Sequence, residues 1–157
     1  MNITQADLNI TGIKKIGVVT ARFNAPVTEK LEQGAFEKLN TLGFKEEQVI
    51  AVRVPGAVEI PLAVQALLEQ GCDGVVALGA VIRGETAHFD YVCNSVERAC
   101  TQLQLDFKKP VGFGVLTTEN AEQAYARSGG AKGNKGAETV EVVIEMINLT
   151  KTLTQTP

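Results

Sequence analysis

Apolar and polar positions along the chain repeat with two different periods. Ile16 to Thr20 (IGVVT) is an unbroken β-branched run, the pattern of a strand buried on both faces. Behind it Val27, Leu31, Ala35, Leu39 and Leu42 recur every three or four residues, which predicts a helix with one buried stripe. Pro26 suits the first turn of that helix and Gly43 its end. Val49 to Val54 (VIAVRV) predicts a second strand, closed by Pro55 and Gly56, and Ile60 to Leu68 a helix that stops near Gly71. Gly74 to Ile82 (GVVALGAVI) is a third, wholly apolar strand. After it Phe89, Val92, Cys93, Val96, Cys100 and Leu103 form a stripe at helical spacing. Pro110 to Leu116 (PVGFGVL) predicts a fourth strand. Thr118 can cap a helix from Glu119 to Arg127, whose Glu119 and Glu122 favour the N-terminal end of the dipole. A glycine-rich link, Ser128 to Gly136, leads to a last helix with Val140, Val143, Ile144 and Ile147 inward and Glu138, Glu141 and Glu145 outward.

Strand and helix alternate four times, and continuously apolar strands are what a parallel sheet covered on both faces requires. The expected fold class is therefore α/β, in three α/β/α layers. Residues 1–157 read as a single domain, since no internal repeat or long linker divides them. In such sheets ligands bind at the carboxyl ends of the strands. That directs attention to Ala21–Asn24 (ARFN), Pro55–Glu59 (PGAVE), Arg83–His88 (RGETAH) and Thr117–Asn120 (TTEN).

Composition narrows the function classes. With 157 residues, 45% of them apolar, the chain can bury a core without a metal or disulfide staple. A formal charge of −3 and the absence of a basic run argue against nucleic acid and anionic membrane as partners. The longest apolar stretches, Ile60–Leu68 and Gly74–Ile82, fall short of the ~18 residues of a membrane-spanning helix. Met1–Leu8 lacks a cationic patch followed by an apolar run, so the expectation is a soluble, cytoplasmic protein. Three cysteines with no Cys-x-x-Cys pair fit a reducing compartment, and Cys93 and Cys100 would lie about 10 Å apart along a helix, out of disulfide reach. The loop after the first strand has no glycine, and GGAKGNKG at 129–136 does not match a phosphate loop, so neither nucleotide motif is present. One histidine and scattered cysteines supply no metal cluster.

Several strand-end residues carry chemistry. His88 stands between a strand-end loop and the strongest helix, either as a solvated helix-start histidine or as a general acid or base near neutrality. Arg127 is either a C-terminal dipole partner or a fork for phosphate or carboxylate. Phe23 is either a loop plug or a stacking surface for a planar ring. Glu59 reads by default as a dipole-stabilising carboxylate, and Phe113 as core.

Taken together, the motifs ARFN (21–24), VPGAVEIP (54–61), GAVIRGETAHFDYV (79–92), FGVLTTEN (113–120) and GNKGAE (133–138) resemble the 6,7-dimethyl-8-ribityllumazine synthase family over nearly the whole chain. The resemblance implies a flavodoxin-like, four-stranded parallel sheet. It also implies condensation of 5-amino-6-(D-ribitylamino)uracil with 3,4-dihydroxy-2-butanone 4-phosphate, releasing phosphate and water, in the penultimate step of riboflavin biosynthesis without metal or organic cofactor. By the same resemblance Phe23 stacks on the pyrimidine, and Ala57, Val58, Glu59, Ala80, Val81 and Ile82 bind the pyrimidine and its ribityl chain. Glu85 and Thr86 hold the phosphate, with Arg127 as charge partner and Lys135 nearby. His88 shuttles protons and Phe113 closes the pyrimidine pocket.

The family resemblance further implies that Phe113 and Arg127 come from a neighbouring subunit. Pentamers, a 60-subunit icosahedral shell with riboflavin synthase as cargo, and an N-terminal strand (Asn2–Ile10) added to an adjacent sheet belong to the same expectation. Three departures are visible. Val58 stands where many relatives have an aromatic. Glu85 replaces a small residue, so it should face solvent or pair with Arg83. The first lysine of the glycine-rich link is moved by one position. The competing reading is a non-catalytic shell-forming or flavin-binding relative. A flavodoxin-like signalling domain is disfavoured, because no acidic magnesium cluster follows the first strand.

Overall fold

In the computed structural model, which describes residues 1–155, the four apolar runs form one all-parallel sheet. Its strands are β1 (Ile16–Ala21), β2 (Val49–Val54), β3 (Gly74–Ile82) and β4 (Val111–Thr118), in the order β2-β1-β3-β4. Helices α1 (Ala25–Leu42), α2 (Ile60–Glu69), α3 (His88–Phe107), α4 (Ala121–Ala126) and α5 (Lys135–Thr154) complete the alternation. Side chains on a strand point alternately to its two faces, and both faces of the inner strands β1 and β3 are buried over most of their length. Val18, Val76 and Leu78 pack under α1 and α5, while Val19, Val75 and Ala77 pack under α2 and α3. That is why β1 and β3 contain no polar alternation. The three-layer α/β expectation holds. Among the described residues no helix is long and apolar enough to cross a membrane.

Glycine is required where α1 meets α5. A methyl group at Gly136 would overlap the Leu31 carbonyl oxygen, and one at Gly34 would overlap the Asn134 side chain. Asn134 itself caps α5, accepting from the Ala137 amide at 3.1 Å while its Nδ2 donates to the Lys30 carbonyl at 3.0 Å. One short side chain thus starts one helix and ties it to another.

Two local expectations are corrected. The cap of α4 is Asn120, whose side chain accepts from the Gln123 amide at 2.9 Å, and the helix runs Ala121–Ala126 rather than Glu119–Arg127. Thr118 remains the last paired residue of β4, opposite Ile82, and its hydroxyl donates to the Asn120 carbonyl. The link Ser128–Gly136 is not featureless. Its residues form a small antiparallel pair, β5 (Ser128–Gly130) with β6 (Gly133–Asn134), turned through positive φ at Gly129 and Gly133.

The N-terminal residues 1–10 have no regular secondary structure and form no strand within the chain. Met1–Gln5 are exposed, whereas Leu8 and Ile10 pack on the α1/α5 core, and Asn148 Nδ2 donates to the carbonyls of Asp7 and Asn9. Half of its alternating pattern therefore has a partner in its own chain. All three cysteines are free, and burial pushes the Cys100 thiol up to about 11.

Candidate active site

The carboxyl ends of β1, β2 and β3 build one cleft. After β1 the Arg22 amide donates to the Val54 carbonyl at 2.8 Å and the Phe23 amide to that of Pro55 at 3.0 Å, so the chain is strapped across the end of β2. Strapped this way, the Phe23 ring is left 67% exposed. Asn24 follows in a left-handed conformation (φ 66°), and its Nδ2 donates to the Ala80 carbonyl at 2.7 Å, bolting the loop to β3. Asparagine tolerates this region better than other non-glycine residues, and its amide supplies the bolt. Asn24→Ala is expected to cost about 2 kcal/mol, from the lost hydrogen bond and the left-handed strain, and Asn24→Gly only about 1 kcal/mol. Urea denaturation of both variants checks this; equal stabilities would refute it.

Beyond β2, Gly56 leads into a single 3₁₀ turn, Ala57–Glu59, that enters α2. Ala57 is half-buried and Val58 exposed. From β3 come Ala80, buried, and Val81 and Ile82, half-buried. Residues 83–87 form an exposed turn, and His88 opens α3 with its amide donating to the Thr86 hydroxyl at 3.3 Å. Of these, Phe23, Asn24, residues 56–59, residues 80–82, Gly84, Thr86 and His88 line a cavity of about 570 Å³, with Phe89 and Val92 of α3. The cavity offers an aromatic ring, an imidazole, small apolar walls and the Glu59 carboxylate, but neither lysine nor arginine.

A second cavity, of about 510 Å³, lies along the outer edge of β4. Phe113 and Thr117 come from the strand, Gln123 and Arg127 from α4 and its end, and Lys132, Lys135 and Glu138 from the hairpin and α5. Arg127 Nη1 donates to the Gln123 carbonyl at 2.9 Å. The Lys132 amide donates to the Ala126 carbonyl and the Lys135 amide to that of Arg127, both at 2.8 Å, which wraps the β5–β6 pair around the arginine. Three cations against one carboxylate make this an anion-attracting pocket.

The expected site residues are therefore divided. Phe23, Ala57, Val58, Glu59, Ala80, Val81, Ile82, Thr86 and His88 share the first cavity. Phe113, Arg127 and Lys135 share the second. Glu85 is exposed on the turn beside Thr86, and the expected alternative of pairing with Arg83 is not what forms. Arg83 pairs instead with Glu119 at 2.8 Å and Asp90 at 3.5 Å, and the hydrogen bond to Glu119 raises its guanidinium pKa further. Glu119 is free to do this because α4 starts two residues later than the sequence pattern suggests.

Residue-by-residue reading gives no role to Gln123 or Lys132, places Asn24 in a strand-end segment without a role, and weighs Arg83 only as a partner for Glu85. An asparagine directly before an Ala-Pro helix start is a signal for Asn24. Lys132 has no local signal, because the hairpin that brings it to Arg127 depends on pairing between two glycine-rich segments.

Comparison with known proteins supplies a family. The profile described as 6,7-dimethyl-8-ribityllumazine synthase matches residues 14–151. A protein of that name from Bdellovibrio bacteriovorus is 63% identical over 137 residues, covering 87% of this chain and 75% of its own. One from Coxiella burnetii is 49% identical over 138 residues, covering 87% and 91%. Another from Helicobacter pylori is 45% identical over 154 residues, covering 98% and 99%.

Proposed function

This chain belongs to the 6,7-dimethyl-8-ribityllumazine synthase family, a transferase family of riboflavin biosynthesis, and from that premise we propose how its two cavities divide the reaction. The observation that carries the reading is the separation itself. The cleft with the stacking ring and the histidine has no cation, and the cationic pocket has no histidine. A second copy of the chain, placed with its β4 edge over the cleft, brings Phe113, Arg127 and Lys135 to Phe23, Thr86 and His88. The site is then composite, with each subunit giving a different half to each of two neighbours.

In that site Phe23 stacks on the pyrimidine of 5-amino-6-(D-ribitylamino)uracil, and its exposure leaves the ring face available. Ala57, Val58 and Glu59 with Ala80, Val81 and Ile82 hold the pyrimidine edge and the ribityl chain, and Phe113 closes the pocket. The phosphate of 3,4-dihydroxy-2-butanone 4-phosphate lies at the turn of Glu85 and Thr86. There the amides at the start of the 20-residue α3 face it, and Arg127 and Lys135 of the neighbour balance its charge. Exposed Glu85 contributes backbone and keeps its carboxylate in solvent.

The 5-amino group attacks the C2 carbonyl to form an imine with loss of water. The C3 proton is then removed as phosphate leaves C4, and the resulting enol becomes a C3 ketone that the ribitylamino nitrogen attacks, with loss of a second water, to close the ring. His88, the single histidine of the chain, moves the protons these steps require. A positioned acid or base contributes ~100-fold to 10,000-fold, and holding two substrates in register supplies much of the rest. Among the described residues no group of three or more histidine, cysteine, aspartate or glutamate side chains is placed to hold a metal ion.

The assembly follows the same reading: pentamers, a 60-subunit shell, riboflavin synthase as cargo, and a cytoplasmic location. An open sheet edge supports the strand exchange, because Ala51 and Arg53 of β2 are exposed beside an apolar groove lined by Phe36, Phe44 and Val49. The exposed Met1–Gln5 of a neighbour is the segment that would pair there.

Mixing the protein with both substrates is expected to produce the absorbance of the lumazine together with an equal amount of phosphate. Phosphate without lumazine, or neither product, would refute the reading.

A further inference from the structure

The turn between β3 and α3 is fastened sparsely. Residues 83–88 are all exposed, and Gly84 has open space around its Cα. The Arg83 amide donates to the Thr118 carbonyl at 2.8 Å as the last link to β4, and the His88 amide reaches the Thr86 hydroxyl at a long 3.3 Å. The Ala87 carbonyl accepts from the Asp90 and Tyr91 amides at 3.0 and 3.4 Å, which joins the end of the turn to α3, and the Arg83 side chain adds the hold between that turn and the end of β4. Its Nε meets Glu119 Oε2 at 2.8 Å, its Nη2 faces Asp90 Oδ1 at 3.5 Å, and its Cζ lies 4.3 Å from the centre of the Phe89 ring. Phe89 is itself buried and lines the cleft beside His88.

One planar group thus uses two of its nitrogens and a face to join the end of β4, the first turn of α3 and the wall of the cleft. A lysine carries the same charge but has neither the fork nor the flat face. Two carboxylates already face this guanidinium, so it is not a free charge for the phosphate. Exposed ion pairs contribute little to global stability, and Arg83 is exposed, so the arrangement has to be explained by where it holds the turn.

We propose that Arg83 is a positioning residue: through Glu119, Asp90 and Phe89 it holds the Gly84–Ala87 turn and the start of α3 so that Thr86 and His88 meet the phosphorylated substrate. This rests on the assignment of that turn to the phosphate of the butanone. Because Glu119 leads into α4, the same link also ties the turn to the segment whose Arg127 serves the adjacent site of the assembly.

The test is two-substrate steady-state kinetics on the assembled protein, with thermal melting of each variant. Arg83→Gln is expected to raise KM for the butanone phosphate about tenfold or more while KM for the pyrimidine stays within about twofold, the size of effect that slight misplacement of a reacting group produces. The melting temperature should be unchanged, and Arg83→Lys should recover less than half of the loss. Glu119→Gln should shift the same KM. The double variant Arg83→Gln/Glu119→Gln should be no worse than Arg83→Gln, because both act through one contact.

An unshifted KM in Arg83→Gln, equal rises in both KM values, full recovery by lysine, or multiplicative losses in the double variant would overturn the proposal. If Arg83→Gln does not fold, Glu119→Gln decides, since it disturbs the same link from outside the turn. An unmodified protein that makes no lumazine would instead overturn the site reading on which the proposal rests.

Discussion

Two inactive variants are expected to restore each other. Arg127→Ala removes the charge partner of the phosphate from one half-site, and Phe23→Ala/His88→Ala removes stacking and proton transfer from the other. Each homogeneous variant protein should therefore lose at least about 100-fold in kcat/KM. In assemblies refolded from an equal mixture, a site is intact when its Arg127 comes from the Phe23→Ala/His88→Ala chain and its cleft from the Arg127→Ala chain. Random pairing in a ring makes that true for about one quarter of the interfaces, so about one quarter of the unmodified activity should return. Separately refolded variants mixed afterwards should show none of this recovery. If the refolded mixture stays as inactive as its components, each chain carries a whole site and the composite reading fails.

The second large effect is on stability. At Gly136 a Cβ would overlap the Leu31 carbonyl oxygen and come within 3.0 Å of Asn134 Oδ1, so relief requires movement of backbone rather than rotation of a side chain. Gly136→Ala is expected to destabilise the protein by about 3 kcal/mol or more, at the upper end for overpacking, and to lower Tm by roughly 10 °C. Differential scanning calorimetry would show it, and a Tm within 2 °C of the unmodified protein, well inside that roughly 10 °C estimate, would refute it. The same separation of α1 from α5 should disturb Asn134 and Lys135, which sit at the contact. Activity in the surviving folded fraction should therefore fall through weaker use of the phosphorylated substrate.

Much of the fold was legible because each strand is short, apolar and bounded by proline, glycine or a helical stripe. β2 and β3 have the ends the pattern predicts, Val49–Val54 and Gly74–Ile82. Misjudged boundaries fall where side chains compete for the same backbone groups. Thr118 and Asn120 can both cap a helix; pairing with Ile82 keeps Thr118 in the strand, so Asn120 takes the cap. The Ser128–Gly136 link could not be read locally, because a two-stranded pair of small residues has no hydrophobic periodicity.

The site was legible as a set of residues and illegible as an arrangement. Strand-end position and side-chain chemistry single out Phe23, His88 and Arg127 in the sequence, since parallel sheets place their ligands at that end. Residue patterns by themselves do not tell that Phe23 and His88 share one cavity while Arg127 occupies another; only the family resemblance implies that Arg127 serves a neighbour. Nor do they tell that Arg83 reaches Glu119, 36 residues away, rather than Glu85, two residues away. Local pattern determines which segments become strands and helices, because burial periodicity is a property of neighbouring residues. Which charges meet, and which face each pocket opens on, was decided by tertiary packing, because strand order, helix starts and hairpin pairing set distances between residues far apart in the chain.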